Sequence, residues 1–180
     1  MQVRPPLRFT DQDAREAGDA WGLNCGPAAV CAIVGLTPEE IRPHLGDFEL
    51  KRYTNPTLMW EILLNLNVHI KGIRGLASNV SQLPWPRWGL ARVQWEGPWT
   101  KPGVPMRVRY RQTHWVGVNS SNPDNIGIWD VNCLSNGTGW VSLDEWTNSL
   151  VPWLLKQCHP KADGKWHLTH TVEIGLPDAG

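Results

Sequence analysis

Cys25, His114 and Asp130 are the residues of this chain whose types and order suit acyl transfer. Cys25 stands in the run WGLNCGPAAVCAIVG, at the mouth of a segment that reads as a buried helix. Unpaired backbone N–H groups and the helix dipole favour a thiolate at such an end, and Gly26 leaves the space beside the sulfur open. A thiolate needs an imidazole to hold an ion pair and to protonate a leaving group. Among the six histidines, His114 opens the strand-like run HWVGV, so its ring projects from the end of a rigid element. Asp130 closes the next strand-like run, IGIWD, 16 residues further on. A hairpin of that length sets the two side by side and gives the imidazole an orienting acceptor. Asn132 shares the strand parity of Asp130 and is the alternative acceptor.

The surrounding elements follow from local signals. Pro27 sits in the first turn of the Cys25 helix, apolar residues run almost all round it to Val34, and Gly35 is a natural stop. Thr37-Pro38-Glu39-Glu40 reads as a capping box opening a short helix toward Leu45. Asn55-Pro56 opens a third, with Leu58, Ile62, Leu63 and Leu66 on one side. The second half is strand-like: WGLARVQW, RVRYRQ, THWVGVN, NIGIWDVN and KWHLTHTVEIG, after an earlier alternating run at 68–73. In the last of these, Trp166, Leu168, His170, Val172 and Ile174 share one parity. One helix interrupts the strands from Ser142 to about Gln157, with Pro152 expected to kink or break it. Helices first and antiparallel strands second is an α+β arrangement, with the helices packed on one side of the sheet.

Composition sets the class. At 180 residues and 41% hydrophobic, positions 1–180 suit a single domain with a buried core, entered by an irregular lead-in over 1–18. Lys plus Arg and Asp plus Glu both number 17, a balance that argues against a nucleic-acid partner. No apolar run approaches a membrane span, and the first residues lack a signal-peptide core, so the expected setting is cytoplasmic with no membrane partner. The 12 Trp against 2 Tyr and 2 Phe place aromatic burial on indoles. Four scattered cysteines without a CxxC pair suit free thiols, and neither a metal nor a cofactor is expected. His159, His167 and His170 with Cys158 form the one alternative metal pattern, but His167 and His170 are three apart on a strand and so face opposite sides.

These segments, in this order, resemble the papain-like cysteine peptidases, and among them the peptidase domains that remove double-glycine leaders from bacteriocins. In that branch an [Asp/Asn]-Cys-Gly-x-Ala motif opens the central helix, a His-aromatic/apolar strand follows, and an Asp commonly stands before Pro. Asn24-Cys25-Gly26-Pro27-Ala28 matches the first, His114-Trp115-Val116 the second, and Asp130-Val131 the third without its Pro. The resemblance spans roughly residues 19–174. It implies a central nucleophile helix packed on a twisted antiparallel sheet, a protein of bacterial or phage type, and cleavage of a peptide or isopeptide bond in a peptide or protein substrate. Deamidation or transamidation by the same triad is also open. The family usually has an oxyanion-hole Gln six residues before the nucleophile; here that residue is Asp19, whose charge would repel an oxyanion. Either the Cys25 N–H works with another donor such as the Asn24 amide, or Gln12 reaches in, or the chain is a binding or inhibitory scaffold without turnover.

The stretch 97–112 reads as a hairpin insertion before His114, a position that flanks the cleft in this fold. It makes Trp99 and Arg109 expected substrate contacts. Trp115, next to His114, is expected to shield the His–Asp pair from water and to border the substrate.

Overall fold

Thr10 and Asp13 open the first element. The Thr10 hydroxyl accepts from the Asp13 N–H at 3.2 Å, and the Asp13 carboxylate takes the Thr10 N–H at 2.7 Å. This capping box starts helix α1, Asp11–Trp21, which buries Ala14, Ala17 and Trp21 on one face. The computed structural model describes residues 5–75 and 82–175. Within them, positions 11–18 are helical, which corrects the irregular lead-in expected over 1–18; residues 1–4 lie outside the described residues.

Helix α2, Cys25–Val34, starts and stops where its sequence indicates. Asn24 Oδ1 accepts the Gly26 N–H at 3.2 Å, and Gly35, at φ 74°, turns the chain out. Short helices α3, Pro38–Ile41, and α4, Phe48–Lys51, lead to α5, Pro56–Asn65, capped by Asn55 Oδ1 on the Leu58 N–H at 2.8 Å. Strands β1, Ile70–Gly75, and β2, Trp88–Trp95, follow.

Between β2 and the next strand the chain does not form the expected hairpin. It makes a single 3-10 turn, Pro98–Thr100, and a one-turn helix α6, Met106–Arg109, where RVRYRQ was expected to be extended. Strands β3, Thr113–Asn119, β4, Gly127–Trp129, and β5, Trp140–Ser142, then build one edge of the sheet. The interrupting helix is three pieces in line: α7, Leu143–Glu145, a π-helical stretch Trp146–Leu150, and α8, Val151–Cys158. The wide turn, in which the Val151 N–H reaches back to the Trp146 carbonyl, falls immediately before Pro152, which has no N–H to give. Strand β6, Trp166–Ile174, completes a six-stranded antiparallel sheet in the order β1-β6-β2-β3-β4-β5. The molecule is thus a mixed α+β protein with eight α-helices among the described residues.

Both faces of this sheet are covered, not one. Trp88, Leu90, Trp115 and Trp129 pack with α1, α2, α3 and α5. Val93, Trp95, Val116, Val118 and Ile128 pack with Trp146, Val151, Leu154 and Leu155. The two-residue side-chain period of the strands sorts neighbours between the two cores. In β6 a register shift opposite Arg92/Val93 interrupts that period, so Leu168 joins the second core and Val172 and Ile174 the first. The single parity expected for these residues does not hold, and the bulge puts His167 and His170 on one face, opposite Gln94 and Arg92.

Helix α2 lies very close to β3. A Cβ on Gly117 would stand 2.9 Å from Ile33 Cδ1 and 3.0 Å from Trp129 Cβ, so only glycine admits this approach. The contact fixes the height of α2, and hence of Cys25, over the strand that carries His114.

Candidate active site

His114 and Asp130 come together through the β3–β4 register. Gly117 pairs with Trp129, which sets Asp130 across from Val116, one side-chain repeat from His114 on the same face. Asp130 Oδ2 accepts from His114 Nε2 at 2.8 Å and from the Trp146 indole N–H at 2.8 Å. Its Oδ1 accepts the Asn132 N–H at 2.9 Å and the Asn132 side-chain amide at 2.8 Å. All four bonds go to one carboxylate that is fully buried. Asn132 therefore braces Asp130 and does not replace it.

Cys25 meets this pair from the first position of α2, half-buried. The His114 ring and the Trp115 backbone N–H lie close enough to act on its thiol. With Nε2 committed to Asp130, Nδ1 is the ring nitrogen left for the sulfur. Burial pushes the Cys25 thiol up, but the His114 charge, the His114 ring and the Trp115 backbone N–H together hold it below its usual value. Burial likewise opposes charge on His114, yet the Asp130 carboxylate and the Cys25 sulfur raise the imidazole well above 6.5. Asp130 is lowered despite its burial, by the His114 charge and bond, the Trp146 N–H and the Asn132 backbone. The arrangement favours thiolate, imidazolium and carboxylate in line.

No protein-family model matches this chain, and no curated protein matches it.

What shields the His–Asp pair is not Trp115. The alternation along β3 turns Trp115 to the opposite face, where its indole N–H donates to the Thr54 carbonyl at 2.8 Å. The shield is Trp95, stacked on His114 with ring centroids 5.8 Å apart, and behind it Trp146, stacked on Trp95 at 6.0 Å. Neither was singled out in the sequence, because their closeness depends on β2 and on the long helical segment folding over the far face.

A cleft of about 710 Å³ opens at the sulfur, bordered by Asn24, Trp115, Arg52, Arg92, Arg107 and Arg111 among others. Of the three expected substrate contacts, only Trp115 lines it. Trp99 donates its indole N–H to the Trp95 carbonyl at 2.7 Å and packs edge-on against His159. Arg109 turns back on its own loop, with Nε donating to the Val104 carbonyl at 2.7 Å. Arg107 of α6 and the two residues that follow the helix, Tyr110 and Arg111, border the cleft, and Arg109 does not.

The oxyanion donors are fewer than expected. The Cys25 N–H, at the first turn of α2, makes no hydrogen bond among the described residues. The Asn24 amide is engaged twice, by the Gly26 N–H and, through Nδ2, by the Arg52 carbonyl at 3.1 Å. Gln12 binds Glu16 at 2.8 Å on the outer side of α1 and does not reach in. Asp19 is exposed on α1; the charges that act on the Cys25 thiol are those of His114 and Asp130. His167 is held by Glu96 at 3.0 Å, and among the described residues no three His, Cys, Asp or Glu side chains gather as a metal site.

Proposed function

We propose that this protein is a papain-like cysteine peptidase that hydrolyses a peptide or isopeptide bond through Cys25, His114 and Asp130. The observation that supports this reading is the hydrogen bond from the His114 imidazole to a buried, doubly braced carboxylate, with the Cys25 thiol beside the same imidazole. Cys25 Sγ adds to the carbonyl carbon, and the Cys25 N–H receives the oxyanion. The C–N bond breaks as the imidazolium passes its Nδ1 proton to the leaving nitrogen, and the acyl group stays on sulfur as a thioester. Neutral His114 then takes a proton from water while the water oxygen adds to the thioester carbon. The C–S bond breaks, the acid departs, and thiolate and imidazolium are restored. Ammonia as leaving group makes the same sequence a deamidation, and an amine in place of water makes it a transamidation. A reducing, cytoplasmic setting suits a reaction that needs its thiol unoxidised.

The engaged Asn24 amide favours a second reading, a scaffold that binds without turnover, because one N–H is a sparse oxyanion hole. Digestion of a peptide library derived from a bacterial lysate separates the two. A peptidase produces new N-termini that are absent with Cys25→Ala; a scaffold yields the same peptides with both proteins.

A further inference from the structure

Resting on the peptidase reading, we infer that the substrate carries an acidic side chain on the acyl side of the bond that Cys25 attacks. The cleft that opens at the sulfur is lined by four arginines and no Asp or Glu, in a chain whose formal charge is zero. Among the described residues none of the four forms an ion pair. Glu49, on which the Arg52 charge acts, is held by Arg42 at 2.8 Å.

Arg92 is the most telling of them. It sits on β2 with only 7% of its surface exposed, beside Trp115 in the register. One nitrogen donates to the Tyr110 carbonyl and the Thr113 hydroxyl, both at 3.2 Å, while its Nε is buried with no partner. Opposite it in β6 stands His170, whose Nδ1 is also buried without a partner. The Cys25 sulfur acts on this guanidinium, but no carboxylate faces it; such burial is costly, and an anion entering the cleft relieves that cost. Arg107 and Arg111 stand exposed at the rim, where they attract the same anion before it reaches Arg92.

The side of the bond follows from the leaving group. The departing nitrogen takes its proton from His114, so it lies on the His114 side of the sulfur. His114 does not border the arginine cleft, whereas Cys25 and Asn24 do. The cleft therefore holds the acyl half. A carboxylate suits it better than a nucleic-acid backbone, because Arg92 is reached only by a narrow group at the end of a flexible stem.

Two tripeptidyl vinyl sulfones, identical except for Glu or Gln next to the warhead, test this on the full chain. The expected result is that the Glu probe modifies Cys25 about tenfold faster at low salt, and that Arg107→Gln/Arg111→Gln narrows the difference to about threefold. Both substituted positions are exposed, so the fold is retained even where Arg92→Gln fails to fold. Equal rates with Cys25 modified overturn the acidic preference and leave the nucleophile standing. Equal rates together with retention on single-stranded DNA that the double substitution abolishes assign the arginines to nucleic acid instead. No modification by either probe or by iodoacetamide removes the nucleophile, and this inference with it.

Discussion

His114 and Trp146 share a single carboxylate oxygen: both donate to Asp130 Oδ2, each at 2.8 Å. The imidazole is thereby fixed from a helix on the far face of the sheet as well as from the neighbouring strand. Trp146→Phe keeps most of the ring and removes the N–H, leaving a buried carboxylate one donor short. The expected loss is about 2 kcal/mol of stability, read as a lower urea midpoint. Cys25 alkylation near neutral pH slows in the same variant, because a freer Asp130 holds the imidazole less firmly. Unchanged stability would show that this indole bond is dispensable.

The position of Cys25 over β3 depends on a missing side chain. Gly117→Ala puts a methyl against Ile33 Cδ1 and Trp129 Cβ, an overpacking expected to cost about 1–3 kcal/mol. It also lifts α2 away from His114, so alkylation slows. Adding Ile33→Val removes the Cδ1 atom and should restore part of both losses. A double variant no better than Gly117→Ala would place the strain elsewhere.

The buried pair makes stability depend on pH in two opposite limbs. Asp130 is held below 3.8 in the fold, so its contribution is present above that value and is lost as the pH falls through its folded pKa. His114 is held well above 6.5, so its contribution is complete below that value and is lost as the pH rises through its folded pKa. Urea midpoints across the pH range should form a plateau between the limbs. Asp130→Asn should flatten the acid limb and His114→Ala the alkaline one.

The four thiols should separate by reactivity. Cys31 is buried and pushed far up, and Cys133 is buried and pushed up to about 12. Cys158 is exposed. Limited iodoacetamide at mildly acid pH, followed by peptide mapping, should label Cys25 first and Cys31 and Cys133 not at all. Labelling led by Cys158 would mean that Cys25 gains nothing from its surroundings.

The triad was legible because each member sits on a strong local signal. Asn24-Cys25-Gly26-Pro27 announces a helix start, and His114 and Asp130 lie at the ends of adjacent alternating runs. Helix α1 was missed because Ala14, Ala17 and Trp21 make a thin apolar stripe, although Thr10 and Asp13 had the spacing of a cap. The parity of β6 was misread because a bulge leaves no mark in a hydrophobic pattern. The arginine cleft was invisible for a different reason. Arg107 and Arg111 come to one cleft only because the chain makes the single turn of α6 and then bends, and Arg92 meets them only after the sheet has formed. Its one clue was an arginine inside the largely apolar run WGLARVQW.

The proposed ion pair between Cys25 and His114 is best read from the thiolate's own ultraviolet absorbance, taken as wild type minus Cys25→Ala and titrated from acid to alkaline pH. A thiolate signal already present well below the ordinary 9.0, and displaced upward in His114→Ala, is the predicted result. A signal that first rises near that ordinary value in both proteins would mean that the imidazole does not poise the thiol, and the peptidase reading would fail with it.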